Sequence, residues 1–245
     1  MLAILSVLVD ALLPRSCASC RTPLSRRPED PVGLCPSCRE GIALVPSPVC
    51  PRCGQPFGGG DDDSTCRRCT TRPPPFRYLR AVFVYGGTAR DLVLRFKHGK
   101  AFSLSRPLGT LLAAVAAREG LLDGTDLVVP VPAWPPRAVQ RRYSPPALLA
   151  RILGRRTDLP VDARTLVRVR APSADGHAGP LARAGRVAGA FAVRRVGAVR
   201  GKRVLVVDDV VTTGATAAEI AAVLRAAGAT RVDVVAVALA APDAV

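Results

Sequence analysis

Two adjacent carboxylates, Asp208 and Asp209, end an apolar run near the C-terminus, and the sequence Val-Val-Thr-Thr-Gly-Ala-Thr follows them. Small residues between a strand and a helix leave backbone N–H groups free at the positive end of the helix dipole, an arrangement that binds phosphate. Threonine hydroxyls add donors, and a glycine lets a ligand approach the backbone closely. The residues of this turn, which we name the phosphate loop, are Thr212, Thr213, Gly214, Ala215 and Thr216.

Carboxylates repel a phosphate, but they accept hydrogen bonds from the sugar hydroxyls beside it. We therefore expect a ribose 5-phosphate, with its phosphate at the phosphate loop and its hydroxyls at Asp208 and Asp209. A helix cap is the alternative role for an aspartate here, yet it would explain one acid and leave the threonines unused. A Walker-type loop is excluded because the chain has no Gly-Lys-Ser or Gly-Lys-Thr sequence.

All eight cysteines lie between residues 17 and 69, in four Cys-x-x-Cys pairs. Each pair puts two thiolates on one tight turn, and two such turns complete a tetrahedral four-cysteine zinc site. Sequential pairing of the turns is the simple arrangement, and an interleaved arrangement is chemically equivalent. We predict two structural zinc sites, with the ligands Cys17, Cys20, Cys35, Cys38, Cys50, Cys53, Cys66 and Cys69.

The N-terminal residues 1–14 are apolar, but no basic residue precedes them and Asp10 interrupts them. This pattern predicts a short amphipathic helix rather than a secretion signal. We therefore expect a cytoplasmic protein, in which metal is a better use of paired cysteines than disulfides. No apolar segment is long enough to predict a membrane span.

The formal net charge is +16, and it is unevenly distributed. Residues 1–75 hold 9 Lys and Arg against 7 Asp and Glu, and residues 76–245 hold 26 against 12. The basic second part favours polyanionic partners such as nucleic acid, nucleotides or phosphorylated sugars, although a generally arginine-rich surface also explains it. The proline run at 73–75 marks a predicted division into an N-terminal helix with a zinc-ribbon module (1–75) and a second domain (76–245).

The second part alternates strand and helix patterns, which predicts an α/β fold. The long apolar runs at 203–209 and 231–240 are typical of central parallel strands. Helices are predicted over 88–99, and over 105–120, 145–154 and 215–228, each of these three ending on a glycine. We expect a parallel sheet covered by helices on both faces, with a ligand bound beyond the carboxyl ends of the strands.

The sequence Leu-Val-Val-Asp-Asp-Val-Val-Thr-Thr-Gly-Ala-Thr at 205–216 resembles the phosphoribosyl pyrophosphate (PRPP) signature of type I phosphoribosyltransferases. With four cysteine pairs ahead of that signature, the whole chain resembles the ComF family, which includes the competence protein ComF and GntX-like proteins. Val-Val-Pro-Val-Pro at 128–132, Phe-Lys-His-Gly-Lys at 96–100, Arg141 and Gly-Ala-Phe at 189–191 also agree with this family.

The resemblance implies a type I phosphoribosyltransferase domain behind a double zinc ribbon, binding of PRPP with Mg²⁺, and phosphoribosyl transfer to an acceptor that the sequence does not identify. It assigns the ribose hydroxyls to Asp208 and Asp209, as catalytic residues, and the 5′-phosphate to the phosphate loop. Candidates for the pyrophosphate side are Lys97, Arg137 and Arg141.

The family's link to natural transformation implies a role in DNA uptake, with single-stranded DNA or DNA-uptake proteins as partners. One alternative stays open at this point. The chain could be a non-catalytic accessory protein that binds PRPP or a nucleotide together with single-stranded DNA.

Overall fold

The structure is a computed structural model, and it describes residues 16–24, 31–56, 64–98, 101–134, 143–171 and 187–240. The helix expected over residues 1–14 and the two arginines Arg137 and Arg141 lie outside these residues. Within the described ranges, no helix has the length and apolar character that a membrane span needs.

Four parallel strands form the central sheet. They are β1 (Leu79–Val84), β2 (Leu127–Pro130), β5 (Arg203–Val211) and β6 (Arg231–Leu239). Their order across the sheet is β1-β6-β5-β2. The predicted parallel sheet is therefore confirmed, and its two longest strands are the two apolar runs that indicated it.

A second, two-stranded sheet pairs β3 (Leu166–Arg168) with β4 (Phe191–Val193) in antiparallel register. The alternating strand and helix pattern predicts a single parallel sheet, and these two short strands are not part of it. They instead pair with each other, so they extend the cover of the central sheet rather than the sheet itself.

Seven α-helices lie in the described residues. They are α1 (Pro36–Glu40), α2 (Arg67–Thr71), α3 (Gly87–His98), α4 (Ser105–Arg118), α5 (Pro145–Thr157), α6 (Val196–Val199) and α7 (Ala215–Ala226). A short 3-10 helix, Phe102–Leu104, leads into α4. Helix α4 ends as predicted, because Gly120 adopts a left-handed φ of 64° just after it.

Helix α5 does not end at Gly154, as the sequence suggests, but continues to Thr157. Gly154 does not end the helix but allows a close contact with the segment that follows it. A Cβ atom at residue 154 would lie 2.4 Å from Cγ2 of Val161, so only glycine lets the chain after the helix pack this closely against it.

The core lies on both faces of the central sheet. Alternate residues of β5 divide between the faces, with Leu205 and Val207 in one buried cluster and Val204 and Val206 in the other. Helices α3, α4 and α5 cover the first face, and α7 with the β3–β4 pair covers the second. Because side chains alternate along a strand, the part of a strand that is covered on both faces must be apolar, as β5 is from Val204 to Val207.

Candidate functional site

The cysteines form two groups of four. The sulfur atoms of each group lie within 4.8 Å of one another. The first group joins the first two Cys-x-x-Cys turns and the second joins the last two, so the structure selects the sequential arrangement. The groups are Cys17, Cys20, Cys35 and Cys38, and Cys50, Cys53, Cys66 and Cys69.

The geometry of both groups fits zinc. The Sγ atoms of Cys20 and Cys35 are 3.7 Å apart, and those of Cys53 and Cys66 are also 3.7 Å apart. A tetrahedral zinc with Zn–S bonds of about 2.3 Å separates its sulfur ligands by about 3.8 Å. All four ligand positions are supplied by cysteine, which is the pattern of a closed structural site.

The second ribbon, which carries Cys50, Cys53, Cys66 and Cys69, is fixed to the second part of the chain through several contacts. The Gln55 amide donates a buried hydrogen bond of 2.9 Å to the carbonyl of Ala240, just past the end of β6. The N–H of Leu79 donates to the carbonyl of Arg52 at 2.8 Å. On α2, the Arg68 side chain donates to the carbonyl of Thr213, in the phosphate loop, at 2.7 Å.

The first ribbon, which carries Cys17, Cys20, Cys35 and Cys38, is bound to α3 through hydrogen bonds. The Arg95 guanidinium donates to the carbonyls of Cys17, Ala18 and Ser19, the last at 2.9 Å. Arg95 lies two residues before Lys97 on the same helix. Each ribbon therefore contacts a different element of the candidate site.

The carboxylates Asp208 and Asp209 lie where the sheet becomes one strand narrower. Strand β2 ends at Pro130, opposite Val207, whereas β5 and β6 stay paired as far as Val211. The sequence placed the acids at the end of β5, but they lie within it, because β6 continues beside them. Both acids are buried. Asp208 is the first residue of β5 after the point where its pairing with β2 ends.

Lys97 approaches this pair from the last turn of α3. Its Nζ atom lies 2.9 Å from Oδ1 of Asp209. The sequence assigned Lys97 to the pyrophosphate side and Asp209 to the ribose side, so the structure joins two predicted parts of the site. The neighbouring acid is held differently, since Oδ1 of Asp208 accepts a hydrogen bond from the N–H of Asp209 at 2.8 Å.

Burial and the Asp209 charge raise the pKa of Asp208 to about 7, well above the ordinary range of a carboxyl group. Burial alone would lower the pKa of Lys97, but the carboxylates of Asp209 and Asp208 outweigh it and raise that pKa. The site therefore holds a firmly protonated ammonium group beside a carboxyl group that titrates near neutral pH.

The phosphate loop opens α7 in the way the sequence predicts. Gly214 has a left-handed backbone, with φ 75° and ψ 2°, directly before the first residue of the helix. The hydroxyl of Thr213 accepts a hydrogen bond of 3.4 Å from the N–H of Ala215. Thr212 lies exposed before it, and Thr216 is half-buried in the first turn of α7.

The pyrophosphate side is described only in part. Arg137 and Arg141 fall outside the described residues, so their place in the site stays a prediction. The first described residue after them, Tyr143, donates a hydrogen bond from its hydroxyl to the carbonyl of Phe96, next to Lys97. The start of α5 is thus tied to the end of α3, which carries the lysine.

Sequence reasoning missed Arg68, Arg95 and Tyr143 as residues that position the site. Nothing in the sequence distinguishes Arg68 from other arginines between zinc ligands, because its partner is 145 residues away. It also missed Glu219 of α7, whose Oε1 accepts a hydrogen bond of 2.6 Å from the N–H of Gly189 in the Gly-Ala-Phe segment.

Comparison with known families agrees with the cysteine-rich N-terminal part and with the α/β part that follows it. Residues 8–70 match the double zinc ribbon domain, and residues 147–244 match the phosphoribosyl transferase domain. The DNA utilization protein YhgH of Salmonella typhi is 33% identical over 225 residues, which are 91% of this chain and 96% of that protein. Competence protein F of Haemophilus influenzae is 28% identical over 206 residues, 82% of this chain and 88% of that protein.

The chain belongs to the ComF family.

Among solved structures, the glutamine PRPP amidotransferase of Bacillus subtilis, complexed with ADP and GMP, aligns with a TM-score of 0.40 and 24% identity. The alignment covers 58% of this ComF-family chain and 30% of the longer amidotransferase chain. The family matches, the parallel sheet and the two cysteine groups confirm the predicted family, fold and cysteine-rich ribbons of this ComF-family protein, while the roles of individual site residues stay predictions.

Proposed function

We propose that this protein binds Mg²⁺-PRPP and transfers its phosphoribosyl group to an unidentified acceptor, in a role linked to DNA uptake. The observation that supports this most is that Asp209 lies beside both Asp208 and Lys97, and that a glycine-containing loop that starts a helix begins three residues after Asp209. The arrangement offers a carboxylate pair for sugar hydroxyls and a separate set of N–H donors for a phosphate.

The phosphate half of the site suits the 5′-phosphate of PRPP. Helix α7 is 12 residues long, so its first turn carries the full positive end of a helix dipole. Gly214 adopts the left-handed backbone, with φ 75°, that this strand-to-helix turn requires. The threonine hydroxyls of the loop add donors that a simple strand-to-helix turn does not need.

The carboxylate half of the site suits a ribose with Mg²⁺. Two adjacent carboxylates are oxygen ligands that this cation prefers, and Asp208 can lose its proton near neutral pH when a cation approaches. Bound Mg²⁺ would offset the negative charge on the pyrophosphate as it leaves. Lys97 would release part of its contact with Asp209 and offer its charge to the same leaving group.

The proposed transfer breaks the bond between C1 of the ribose and the pyrophosphate oxygen, which leaves with the electron pair. A nucleophilic atom of the acceptor forms the new bond to C1 and loses a proton if it carries one. The burial of Asp208 and Asp209 places the ribose in a partly dehydrated environment, where fixed charges act strongly on the developing positive charge.

A second candidate function is binding of PRPP or a nucleotide together with single-stranded DNA, without transfer. Two observations favour it: the formal net charge of +16 and the names of the relatives, DNA utilization protein and competence protein. It would use the same phosphate loop, but it would require no acceptor and no release of pyrophosphate.

A calorimetric titration of the full zinc-loaded chain with Mg²⁺-PRPP tests the shared part of both proposals. We expect one PRPP bound per chain, and no binding would contradict both. A screen of candidate acceptors for pyrophosphate release then separates them. Release that depends on an acceptor supports transfer, whereas PRPP binding without release, together with salt-dependent binding of single-stranded DNA, supports the accessory role.

A further inference from the structure

A side chain of the second zinc ribbon contacts the phosphate loop. Arg68 lies on α2, between the zinc ligands Cys66 and Cys69, and its Nη1 donates to the carbonyl of Thr213 at 2.7 Å. Its Nη2 lies 3.7 Å from the position that a Cβ of Gly214 would occupy. The guanidinium group therefore lies against the one peptide that joins Thr213 to Gly214.

The orientation of this peptide decides what the loop can bind. In a trans peptide, the C=O of one residue and the N–H of the next point in opposite directions. Because Arg68 holds the Thr213 carbonyl on the ribbon side, the N–H of Gly214 is directed to the other side of the loop. Gly214 has no side chain that would hinder rotation of this peptide, so the loop by itself opposes a reversal of the peptide's orientation only weakly.

The position of Arg68 depends in turn on the second ribbon. Helix α2 has five residues, which is too short to be stable on its own. Its Cys69 is buried, and the N–H of Cys66, just before the helix, donates to Cys50 Sγ at 3.4 Å. Zinc bound by this group would therefore fix the helix that carries Arg68.

We propose that Arg68 is a positioning residue for the phosphate loop, and that it couples the second zinc site, and not the first, to phosphate binding. The effect on ligand affinity rests on the proposed function, because the loop must receive the 5′-phosphate of PRPP. The effect on the conformation of the loop does not depend on the proposed function. The first zinc site is joined to α3 by Arg95, whose hydrogen bonds among the described residues go to carbonyls of the first ribbon and not to the phosphate loop.

The test compares Arg68→Ala with Arg67→Ala in the full zinc-loaded chain. Both residues are exposed arginines of α2, so each change removes one positive charge from the same helix. We expect Arg68→Ala to weaken Mg²⁺-PRPP binding roughly tenfold, the scale of one hydrogen bond to a charged group. Arg67→Ala should change it less than twofold. Arg68→Lys, which keeps a charged donor, should recover part of the affinity.

A second measurement needs no ligand. Hydrogen exchange of the backbone amides in residues 211–216 should become faster in Arg68→Ala than in Arg67→Ala. It should also become faster in Cys69→Ser, which removes a ligand of the second zinc site, and should not change in Cys38→Ser, which removes a ligand of the first.

The outcomes separate this inference from the proposed function. Faster loop exchange without any PRPP binding to the unchanged protein would leave the positioning role in place and overturn the proposed function. Normal PRPP binding with equal exchange and equal affinity in Arg68→Ala and Arg67→Ala would overturn the positioning role alone. Equal effects of Cys69→Ser and Cys38→Ser on the loop would overturn its link to the second zinc site.

Discussion

The ammonium group of Lys97 lies 2.9 Å from the Asp209 carboxylate, so helix α3 and strand β5 meet through opposite charges at the candidate site. This contact offsets the negative charge of one of two adjacent buried carboxylates. The other, Asp208, has no such partner among the described side chains and is held by the N–H of Asp209. The two acids should therefore respond differently to substitution and to pH.

Replacing Asp209 with Asn should weaken Mg²⁺-PRPP binding by roughly 10- to 100-fold, because the variant loses a charged acceptor in a buried place. The fold should persist, since Asn has nearly the same shape and the Lys97 side chain remains 25% exposed to water. Calorimetry measures the affinity, and thermal unfolding checks the fold. The matched control is Asp91→Asn, the same change at an exposed residue of α3. An affinity equal to that of the unchanged protein would refute the assignment.

The raised pKa of Asp208 predicts how stability changes with pH. In the unfolded chain this carboxyl group titrates near pH 4, whereas in the folded protein its pKa is about 7. Between these values the folded state keeps a proton that the unfolded state loses. The contribution of Asp208 is therefore fully present below about pH 4 and is lost as pH rises to about 7, by at most about 1.4 kcal/mol per pH unit.

Denaturant unfolding between pH 5 and 8 in magnesium-free buffer measures this slope. Zinc release in acid acts in the opposite direction, so the informative quantity is the difference between the unchanged protein and Asp208→Asn. We expect Asp208→Asn to gain stability relative to the unchanged protein as pH rises from 5 to 7, and the difference to be constant above that range. A difference that does not vary with pH would show that Asp208 is ionised throughout.

The two four-cysteine groups predict two zinc ions per chain, with one lost in each single-site variant. Cys38→Ser and Cys69→Ser, one in each group, should therefore each leave one zinc, measured by elemental analysis of protein expressed with ample zinc. Chelation should also lower the melting temperature, because binding energy at a structural zinc site is folding energy. A metal-free chain that keeps its full stability would contradict the assignment.

Local sequence patterns predicted the features of this fold that depend on local physics. Continuous apolar runs indicated β5 and β6 because both of their faces are buried, and cysteine spacing indicated the zinc sites because two residues between ligands fit one turn. The phosphate loop was predictable for the same reason, since its glycine, its threonines and the helix start are contiguous.

Features that depend on distant contacts were not predictable from these patterns. The extension of β5 past its acids depends on how far β6 continues beside it, and the end of α5 depends on Val161 packing against Gly154. The contact of Arg68 with Thr213 joins two modules that no local pattern relates. Local patterns thus indicate which segments form the candidate site, but not the contacts that hold these segments together.

Replacing Gly214 with Ala should impair phosphate binding through the backbone. The left-handed φ of 75° costs an alanine roughly 1–2 kcal/mol, so the loop would relax toward another conformation or bear the strain. A Cβ there would lie 3.7 Å from Nη2 of Arg68, which is ordinary contact, so the strained φ is the change that acts on the loop. We expect Mg²⁺-PRPP affinity to fall at least roughly tenfold, the equivalent of about 1.4 kcal/mol.

Gly201→Ala is the matched control, because Gly201 has nearly the same φ, 72°, and no atom within 4 Å of its Cβ position. Both variants should lose a similar amount of stability in denaturant unfolding, since both place alanine in the same strained region. Only Gly214→Ala should lose affinity for Mg²⁺-PRPP, since Gly201 lies in the turn before β5, at the opposite end of that strand from the phosphate loop. Equal affinities in the two variants would mean that the loop does not receive the phosphate.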